Sequence, residues 1–431
     1  MFNRLNIFMC KMFCRLNIFD YICTRIIIEN KMEALIKRHL NRMQTVRLDF
    51  VRSMMDEIDW DDRLLMIKGQ KGVGKTTLMT QRILQEFGPT NTTDVLYASL
   101  DNIYFSTHSL LDFIERFHAQ GGKYLFLDEV HKYKNWSLEI KNAYDEFEDM
   151  HIVLSGSSLI NLIDGEADLS RRCITYTMQG LSFREYLRMF HQKDFRKRTL
   201  QEILTDGNSL CAEVNAQLRP LPLFSEYLRY GYYPFLKEGQ NNYYLRIENI
   251  VNTIIEMELP QLRKLDVSNI RKVKSLLGIL SSGVPYTVDT VKLSSMAEMS
   301  RNTLLQYLQN LSEARLIQLL YSDVTNVKRL QKPDKIYLEN TNMLHALATT
   351  QVNEGTEREV FFINQLSATH VVEYSKTSAD FTVDHQYTIE VGGRSKDGKQ
   401  IAGVANSFIA SADEEYVLGN KIPLWLFGFL Y

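Results

Sequence analysis

The feature that most constrains the fold is the stretch MIKGQKGVGKTTLM, residues 66–79, where an apolar run leads into a glycine-rich turn and then into helix formers. Its core, GQKGVGKT, matches the spacing G-x-x-x-x-G-K-[ST], and the flanking residues predict a buried strand before the turn and a helix after it. Glycines let the backbone turn its N–H groups inward, and a helix N-terminus adds partial positive charge. The stretch therefore predicts a loop that binds the phosphates of a nucleotide.

Individual residues of this loop have predicted roles in holding ATP and Mg²⁺. Lys75 is predicted to bridge the β- and γ-phosphates, and the Thr76 hydroxyl to complete the magnesium shell. The predicted nucleotide contacts are Gly69, Gly72, Val73, Gly74, Lys75, Thr76 and Thr77. The alternative is a glycine-rich turn without a ligand, which the matching strand and helix disfavour.

A second stretch, KYLFLDEVHKYKNW (residues 123–136), predicts a buried strand that ends in two carboxylates. Asp128 is predicted to hold magnesium together with Thr76, and Glu129 to act as the base that polarises the attacking water. Phosphoryl transfer to a small molecule does not need the second carboxylate, so its presence favours hydrolysis. The alternative is that Glu129 is a solvated acid at a strand end.

Two further strands are predicted nearby. The stretch HIVLSGSS (151–158) ends in hydroxyl residues, of which Ser155 or Ser157 is placed to sense the γ-phosphate. Alternatively, these serines cap a helix that begins near Leu159. The stretch DVLYASLDN (94–102) supplies another strand. The alternation of strands and helices predicts an α/β fold with a parallel sheet covered on both faces.

Length and composition limit the remaining possibilities. A chain of 431 residues predicts two or three domains, and 50 basic against 52 acidic side chains provide no global attraction to nucleic acid. Five sparse cysteines are typical of a reduced, cytoplasmic protein. Charged residues interrupt each apolar run of residues 1–31, so no signal peptide or membrane span is predicted there. We expect the fold to begin near Met32, after a non-native or disordered extension.

The order of several motifs adds a resemblance to a known family. The motifs GQKGVGKTTL, LFLDEVHKYKNW, LSGSS, LSFREYL, GYYP and NKIPLWLFGFLY resemble the AAA-type P-loop ATPases of bacteria and archaea that carry a C-terminal domain of unknown function. The resemblance runs from about residue 35 to the end. It implies a P-loop NTPase core over residues 32–180 and a helical lid over residues 181–265.

The resemblance also implies an arginine that contacts nucleotide from the lid or from a neighbouring subunit. In this sequence the position matches SRRC, residues 170–173, so that Arg171 or Arg172 could neutralise charge on the transferred phosphoryl group. We take Arg172 as the candidate. The alternative is a surface pair that solvates a turn, and the oligomeric state stays open.

Residues 266–330 predict a winged-helix-like module of three helices and a strand. In such modules the third helix enters the major groove of duplex DNA, where lysine and arginine normally provide the affinity. Here the third helix offers Arg301, Arg315 and mostly Asn and Gln, while Lys328, Arg329 and Lys332 lie near the wing. The partner of this module is therefore left open between double-stranded DNA and a protein.

For residues 331–431 the resemblance points to a restriction-endonuclease-like fold, whose site pairs an Asp with a downstream E-x-K. Asp380 and Glu390 stand in those places, and a three-residue turn between their strands predicts that they lie opposite each other, as a possible second magnesium site. The expected lysine is replaced by Gly392. Arg394 or Lys396 could approach, but arginine cannot serve as a base. The domain is predicted to be an inactive nuclease fold.

These observations support three functional interpretations. The leading one is Mg-dependent ATP binding and hydrolysis, in which the nucleotide state moves the lid and the winged helix against the C-terminal domain. The alternatives are an ATP-gated DNA nuclease, and a binding switch that holds ATP without hydrolysing it and acts on a protein partner.

Overall fold

A computed structural model describes most of the chain. It covers residues 32–160, 169–263, 265–283, 286–287, 289–322, 332–375, 379–393, 396 and 398–431. The predicted N-terminal extension, residues 1–31, lies outside the described residues, as do Lys328, Arg329 and Arg394. In the part that is described, no helix combines the length and the apolar character needed to cross a membrane.

The first sheet is parallel and has five strands in the order β2-β3-β4-β1-β5, which confirms the predicted parallel sheet. The strand β1 lies between β4 and β5 and is buried from Leu64 to Ile67, as expected for a strand covered on both faces. The strand β5 is not among the predicted strands, because its polar ITYTM pattern at the sheet edge lacks an apolar run. The strands are β1 Leu64–Gly69, β2 Val95–Ser99, β3 Tyr124–Asp128, β4 His151–Ser157 and β5 Ile174–Met178.

Helices cover both faces of this sheet. Alternate strand residues enter two separate apolar clusters, so that Leu65 and Ile67 face one cluster while Leu64 and Met66 face the other. The helix after the P-loop packs in the first cluster, and the helices after β2 and β3 pack in the second. These helices are α1 over residues 32–45, α2 Lys75–Phe87, α3 Leu110–Ala119 and α4 Trp136–Glu146.

A helical segment follows the sheet and corresponds to the predicted lid. It begins at a capping box in which Ser182 and Glu185 satisfy each other's backbone N–H groups. A π-helical turn, Ile254–Glu258, lies within its last helical run and ends two residues before Pro260, which has no N–H to donate. The helices are α5 Phe183–His191, α6 Leu200–Asn215, α7 Pro220–Tyr230, α8 Tyr243–Thr253 and α9 Leu259–Arg263.

Three helices and a small antiparallel sheet come next, with sheet order β6-β8-β7. Because β8 pairs with both other strands, this sheet extends past residue 330, where we predicted the module to end. The elements are α10 Val267–Ser282, β6 Tyr286–Thr287, α11 Thr290–Met296, α12 Arg301–Glu313, β7 Ile317–Leu320 and β8 Lys335–Leu338.

The C-terminal part is a mixed sheet in the order β13-β12-β11-β10-β9, with helices beside it. The pair β10 and β11 is antiparallel with Phe381 opposite Ile389, so the register places Asp380 opposite Glu390 as predicted. The elements are α13 Thr341–Leu347, α14 Glu354–Leu366, β9 Val372–Tyr374, β10 Phe381–Val383, β11 Tyr387–Gly392, β12 Ser407–Ser411 and β13 Lys421–Pro423. The final 3-10 helix, Leu424–Phe429, is fully buried and packs on α5, α6 and α14.

Candidate nucleotide-binding site

The glycines of the P-loop adopt conformations that other residues avoid. Gly72 and Gly74 have φ angles of 89° and 104°, in the left-handed region. A Cβ atom on Gly69 would lie 2.4 Å from the Met178 carbonyl oxygen, so only glycine lets β1 approach β5 this closely. The helix α2 begins at Lys75 without a side-chain cap. Its first N–H groups therefore point toward the loop and are available to an anion.

Lys75 is almost fully buried beneath this loop, with 6% of its surface exposed. Its Nζ donates to the carbonyl oxygens of Gly69 at 2.9 Å and Gln70 at 3.1 Å. Burial lowers its pKa, and the neighbouring carboxylates of Glu129 and Asp128 oppose that shift. The ammonium is thus held by loop carbonyls at the position where a bound phosphate would compete for it.

Asp128 accepts hydrogen bonds on both carboxylate oxygens. The Thr76 hydroxyl and the Tyr97 hydroxyl each donate to Oδ2 at 2.7 Å, and the Ser155 hydroxyl and the Glu129 N–H donate to Oδ1. A threonine hydroxyl next to a carboxylate is an oxygen pair of the kind that Mg²⁺ prefers, so the predicted metal ligands fit the ion. Tyr97 was missed by sequence reasoning because nothing in β2 alone shows that its hydroxyl reaches β3.

Glu129 stands at the end of β3 on the wall of the cleft described below. Its backbone has φ of 55°, a strained conformation for a non-glycine residue of the kind found at functional sites. Burial raises its pKa, which strengthens it as a base. Its Oε2 lies 3.4 Å from Nε2 of His131, whose own pKa burial lowers to about 3, so this imidazole is neutral at physiological pH.

The two candidate serines have different surroundings. Ser155 contacts the acidic pair through Asp128 and the Glu129 N–H. Ser157 accepts from the Leu159 N–H at 3.3 Å, and its hydroxyl donates to Oε2 of Glu258 at 2.5 Å. Residues 161–168, which the predicted helix would include, lie outside the described residues. The role of Ser157 toward a γ-phosphate stays a prediction. Glu258, which sequence reasoning missed, comes from the lid about 100 residues later in the chain.

Arg172 lies away from these groups. Its guanidinium forms two hydrogen bonds, at 2.8 and 3.1 Å, with Asp145 in the last turn of α4 of the same chain. It precedes the amino end of β5, whereas the P-loop follows the carboxyl end of β1, so about six residues of strand, roughly 20 Å, separate them. Arg172 therefore cannot act on a nucleotide bound by its own chain, and a role toward a neighbouring copy stays a prediction.

A cleft of about 1100 Å³ opens above the loop. The P-loop from Lys71 to Thr77 and Glu129 form one side. Apolar side chains from distant segments face them: Val46, Phe50, Met189, Phe235 and Ile250. The cleft therefore offers a phosphate site and an apolar region of the kind that takes a nucleobase. Sequence reasoning missed this wall because its residues come from the stretch after α1 and from the lid.

A second set of predicted residues lies in the C-terminal sheet. Glu390 is 2% exposed, and Asp380 accepts from the Val391 N–H at 2.9 Å. Lys396 donates from Nζ to Oε1 of Glu390 at 2.7 Å, and its side chain lies where a Cβ on Gly392 would be, 2.3 Å from Lys396 Cγ. Although burial opposes it, the contact with Glu390 and the charge of Asp380 raise the pKa of Lys396. Among the described residues, no three His, Cys, Asp or Glu side chains are grouped to hold a metal.

Arg52 connects the loop to the lid. It is buried, donates to both carboxylate oxygens of Glu185 at 3.0 Å, and also donates to the carbonyl oxygens of Val73 and Gly180 at 2.8 Å. Burial alone would raise the pKa of Glu185, but the charge and hydrogen bonds of Arg52 hold it below its ordinary value. One guanidinium thus fixes the P-loop against the start of α5.

We expect Arg52→Met to lower the free energy of unfolding by about 3–5 kcal/mol, because it leaves a buried carboxylate without its cation. Urea denaturation followed by circular dichroism measures this change. Lys197→Met is the matched control, since Lys197 forms an exposed pair with Glu57, and it should cost less than about 1 kcal/mol. Equal losses in the two variants would contradict the role assigned to Arg52.

Comparison with known proteins agrees with this geometry. Residues 61–187 match the family described as an AAA domain, and residues 221–354 match a domain of unknown function (DUF8612). The second match includes the end of the predicted lid and the three-helix module, and it leaves residues 355–431 outside.

Two individual proteins are also similar to the chain. The uncharacterized protein MJ1637 of Methanocaldococcus jannaschii is 26% identical over 451 residues, which cover 95% of this chain and 93% of that protein. The structure of AMPPCP-bound DnaA from Aquifex aeolicus covers 60% of this chain and 84% of its own, at 14% identity and a TM-score of 0.25.

The sheet, the P-loop and the AAA match define a class for the first part of the chain. The five-stranded parallel sheet with helices on both faces fits the α/β fold of P-loop NTPases. The AAA match over residues 61–187 supports an AAA-type ATPase and, with it, nucleotide binding.

Proposed function

We propose that this protein binds ATP with Mg²⁺ and hydrolyses it. The observation that carries the proposal is the hydrogen bond between the Thr76 hydroxyl and the Asp128 carboxylate, beside the ammonium of Lys75 and at the N-terminus of α2. The ammonium and the first N–H groups of α2 supply positive charge for the phosphates, and the oxygen pair supplies the metal ligands. Glu129 stands on the same cleft wall.

Each group then has a defined task. Lys75 releases its loop carbonyls and binds the β- and γ-phosphates as a point charge. Thr76 and Asp128 hold Mg²⁺, which neutralises charge on the phosphates. Glu129 accepts a proton from the attacking water, and its raised pKa suits this task.

Equilibrium binding of labelled ATP, with and without Mg²⁺, tests the first half of the proposal, and release of inorganic phosphate tests the second. Saturable uptake that depends on Lys75 supports the site. If neither wild type nor Glu129→Gln releases phosphate while ATP still binds, the protein is a non-hydrolysing switch instead.

We also propose that the nucleotide state is transmitted beyond the sheet. Gln70, inside the P-loop, accepts from the Tyr233 hydroxyl at 2.7 Å and donates to the Arg315 carbonyl oxygen at 2.8 Å. The Tyr233 hydroxyl in turn accepts from the Asn340 amide at 3.2 Å. Through Gln70 the loop thus contacts the lid and the three-helix module directly, and it reaches Asn340 through Tyr233. A nucleotide moves these parts only if its affinity differs between their arrangements, and hydrogen exchange with ATP and ADP measures that movement.

The module has features that support a winged helix with a protein partner. Its order of helix, strand, helix, helix and two strands, with β8 central, supports the winged-helix interpretation. The exposed side chains of α12 include Arg301, Asn302, Gln306 and Gln309, which offer little positive charge to a phosphate backbone. Arg315 is engaged by the buried Glu339 at 3.4 Å. This composition favours a protein surface over duplex DNA.

An ATP-gated nuclease is a second candidate, favoured by one observation. Lys396 brings an ammonium to Glu390, where the family pattern has a lysine two residues after the acid. A cation beside two carboxylates can stabilise the charge that develops on a phosphate during cleavage. The substitution at Gly392 is thereby compensated from four residues downstream.

We expect Lys396→Met to reduce Mg²⁺-dependent cleavage of duplex DNA by about 100-fold or more, because the transition state loses its cation. Plasmid nicking on agarose gels, with and without ATP, measures this activity. Lys399→Met, an exposed neighbour, should cut like wild type. Absence of cutting by wild type would exclude the nuclease function. In a separate assay of ATP turnover, stimulation by DNA that vanishes with added salt would make DNA the partner.

A further inference from the structure

Glu258 is a buried acid at the phosphate end of the sheet that the proposed reaction does not use. It ends the π-helical turn Ile254–Glu258 and exposes 5% of its surface. Its Oε2 accepts from the Ser157 hydroxyl at 2.5 Å. Ser157 pairs in register with Gly69, whose carbonyl oxygen accepts from Lys75. A chain of direct contacts thus joins this lid residue to the P-loop lysine.

The charges around Lys75 make this position unfavourable for a further anion. Burial has the largest effect on the pKa of Lys75 and of Glu129, and the negative charge of Glu258 raises both. With Asp128, three carboxylates act electrostatically on this one ammonium. Repulsion between like charges grows steeply at short distance in a poorly solvated site. A γ-phosphate bound to Lys75 lies close to these carboxylates and is repelled by them. The last phosphate of a diphosphate lies farther from them and is repelled less.

The segment that carries Glu258 also connects the site to the three-helix module. Three residues after Glu258, the Gln261 amide donates to the His131 carbonyl oxygen at 2.7 Å. Two residues further, Arg263 pairs with Glu313 at the end of α12 at 2.7 Å. Glu256, on the same π-helical turn, pairs with Lys274 of α10. A shift of Glu258 therefore acts together on the contact with the 3-10 turn that follows β3 and on the contacts with the module.

We propose that Glu258 is the residue by which this protein distinguishes ATP from ADP. When no γ-phosphate is present, the Glu258 carboxylate accepts the hydrogen bond of the Ser157 hydroxyl. A bound γ-phosphate displaces this carboxylate, and the Ser157 hydroxyl becomes available. Expulsion moves the turn Ile254–Glu258 and loosens the contacts of Gln261 and Arg263. The inference rests on the proposed function, since it requires ATP to bind at Lys75. It deepens that function by naming the group that reads the third phosphate.

Glu258→Gln tests the proposal, because glutamine keeps a hydrogen-bond acceptor for Ser157 and removes the charge. Affinities for Mg-AMPPCP and Mg-ADP are measured by calorimetry on the full chain. We expect the analogue to bind about tenfold more tightly and ADP to change less than about twofold. Glu115→Gln, an exposed acid on α3 that takes part in none of these contacts, should leave the ratio of the two affinities unchanged. An unchanged ratio in Glu258→Gln, or weaker binding of the analogue, overturns the proposal.

Hydrogen exchange of the unsubstituted protein provides a measurement that needs no variant. Residues 254–263 should exchange faster with saturating AMPPCP than with saturating ADP, and equal exchange would overturn the inference. The two possible failures are distinguishable. Loss of the proposed function appears as wild-type binding that is absent or independent of Lys75. Failure of the Glu258 inference alone appears as Lys75-dependent binding with no change in the ATP to ADP ratio.

Discussion

Lys75→Ala is expected to lower the affinity for ATP by at least about 100-fold, as judged by equilibrium binding of labelled nucleotide with Mg²⁺. The Lys75 ammonium is already held by the carbonyl oxygens of Gly69 and Gln70 directly under the phosphate loop, so little reorganisation is needed to bind a phosphate. Alanine removes this charge but leaves the loop glycines and the first turn of α2 in place. The weak binding that remains would report the backbone contribution.

The matched control for this variant is Lys71→Ala. Lys71 belongs to the same loop and lines the same cleft, but it is exposed, so its loss should weaken ATP binding only a few-fold. Thermal unfolding should show that both variants fold. Equal affinities for Lys75→Ala and wild type would remove the basis of the proposed function, and with it the role given to Glu258.

Glu129→Gln is expected to lower the rate of phosphate release by about 100-fold or more while the affinity for ATP changes only a few-fold. The reason is chemical rather than structural. Glutamine fills the same volume at the cleft wall but cannot accept a proton from water. Steady-state turnover at saturating ATP and binding of labelled ATP separate the two effects.

Glu146→Gln serves as the control, because Glu146 is an exposed acid at the end of α4 and should turn over ATP like wild type. If Glu129→Gln loses binding in proportion to turnover, then Glu129 supports the site instead of acting as its base. Full activity in Glu129→Gln would assign proton abstraction to another group or to solvent.

The features predicted correctly are those that depend on residues close together in the sequence. The P-loop, its flanking strand and helix, and the parallel alternation each follow from local periodicity and from glycine positions, so they could be inferred without tertiary information. The register that brings Asp380 opposite Glu390 follows from a short turn. In each case the residues involved are close together in the sequence, so their relative positions follow from the local backbone conformation.

The features that were missed depend on contacts between distant segments. Tyr97 reaches Asp128 only because β2 and β3 are neighbours in the sheet, and Glu258 reaches Ser157 only because the lid folds back over it. Lys396, which the sequence left open as a candidate beside Arg394, contacts Glu390 from outside the motif spacing. Arg172 was assigned from the family pattern; strand direction places it at the amino end of β5, away from the P-loop of its own chain, and its role toward a neighbouring copy stays a prediction. Such outcomes depend on packing, which periodicity does not encode.

One apolar cluster runs without a break from β1 through the lid and the three-helix module to the final 3-10 helix. Phe183 of the lid, for example, packs edge-to-face with Phe429, and Phe224 packs edge-to-face with Phe361 of α14. Cutting the chain between these parts would leave aromatic surface in water on both pieces. The parallel sheet, the lid and the C-terminal part therefore share one apolar core. We expect them to unfold together as one cooperative unit.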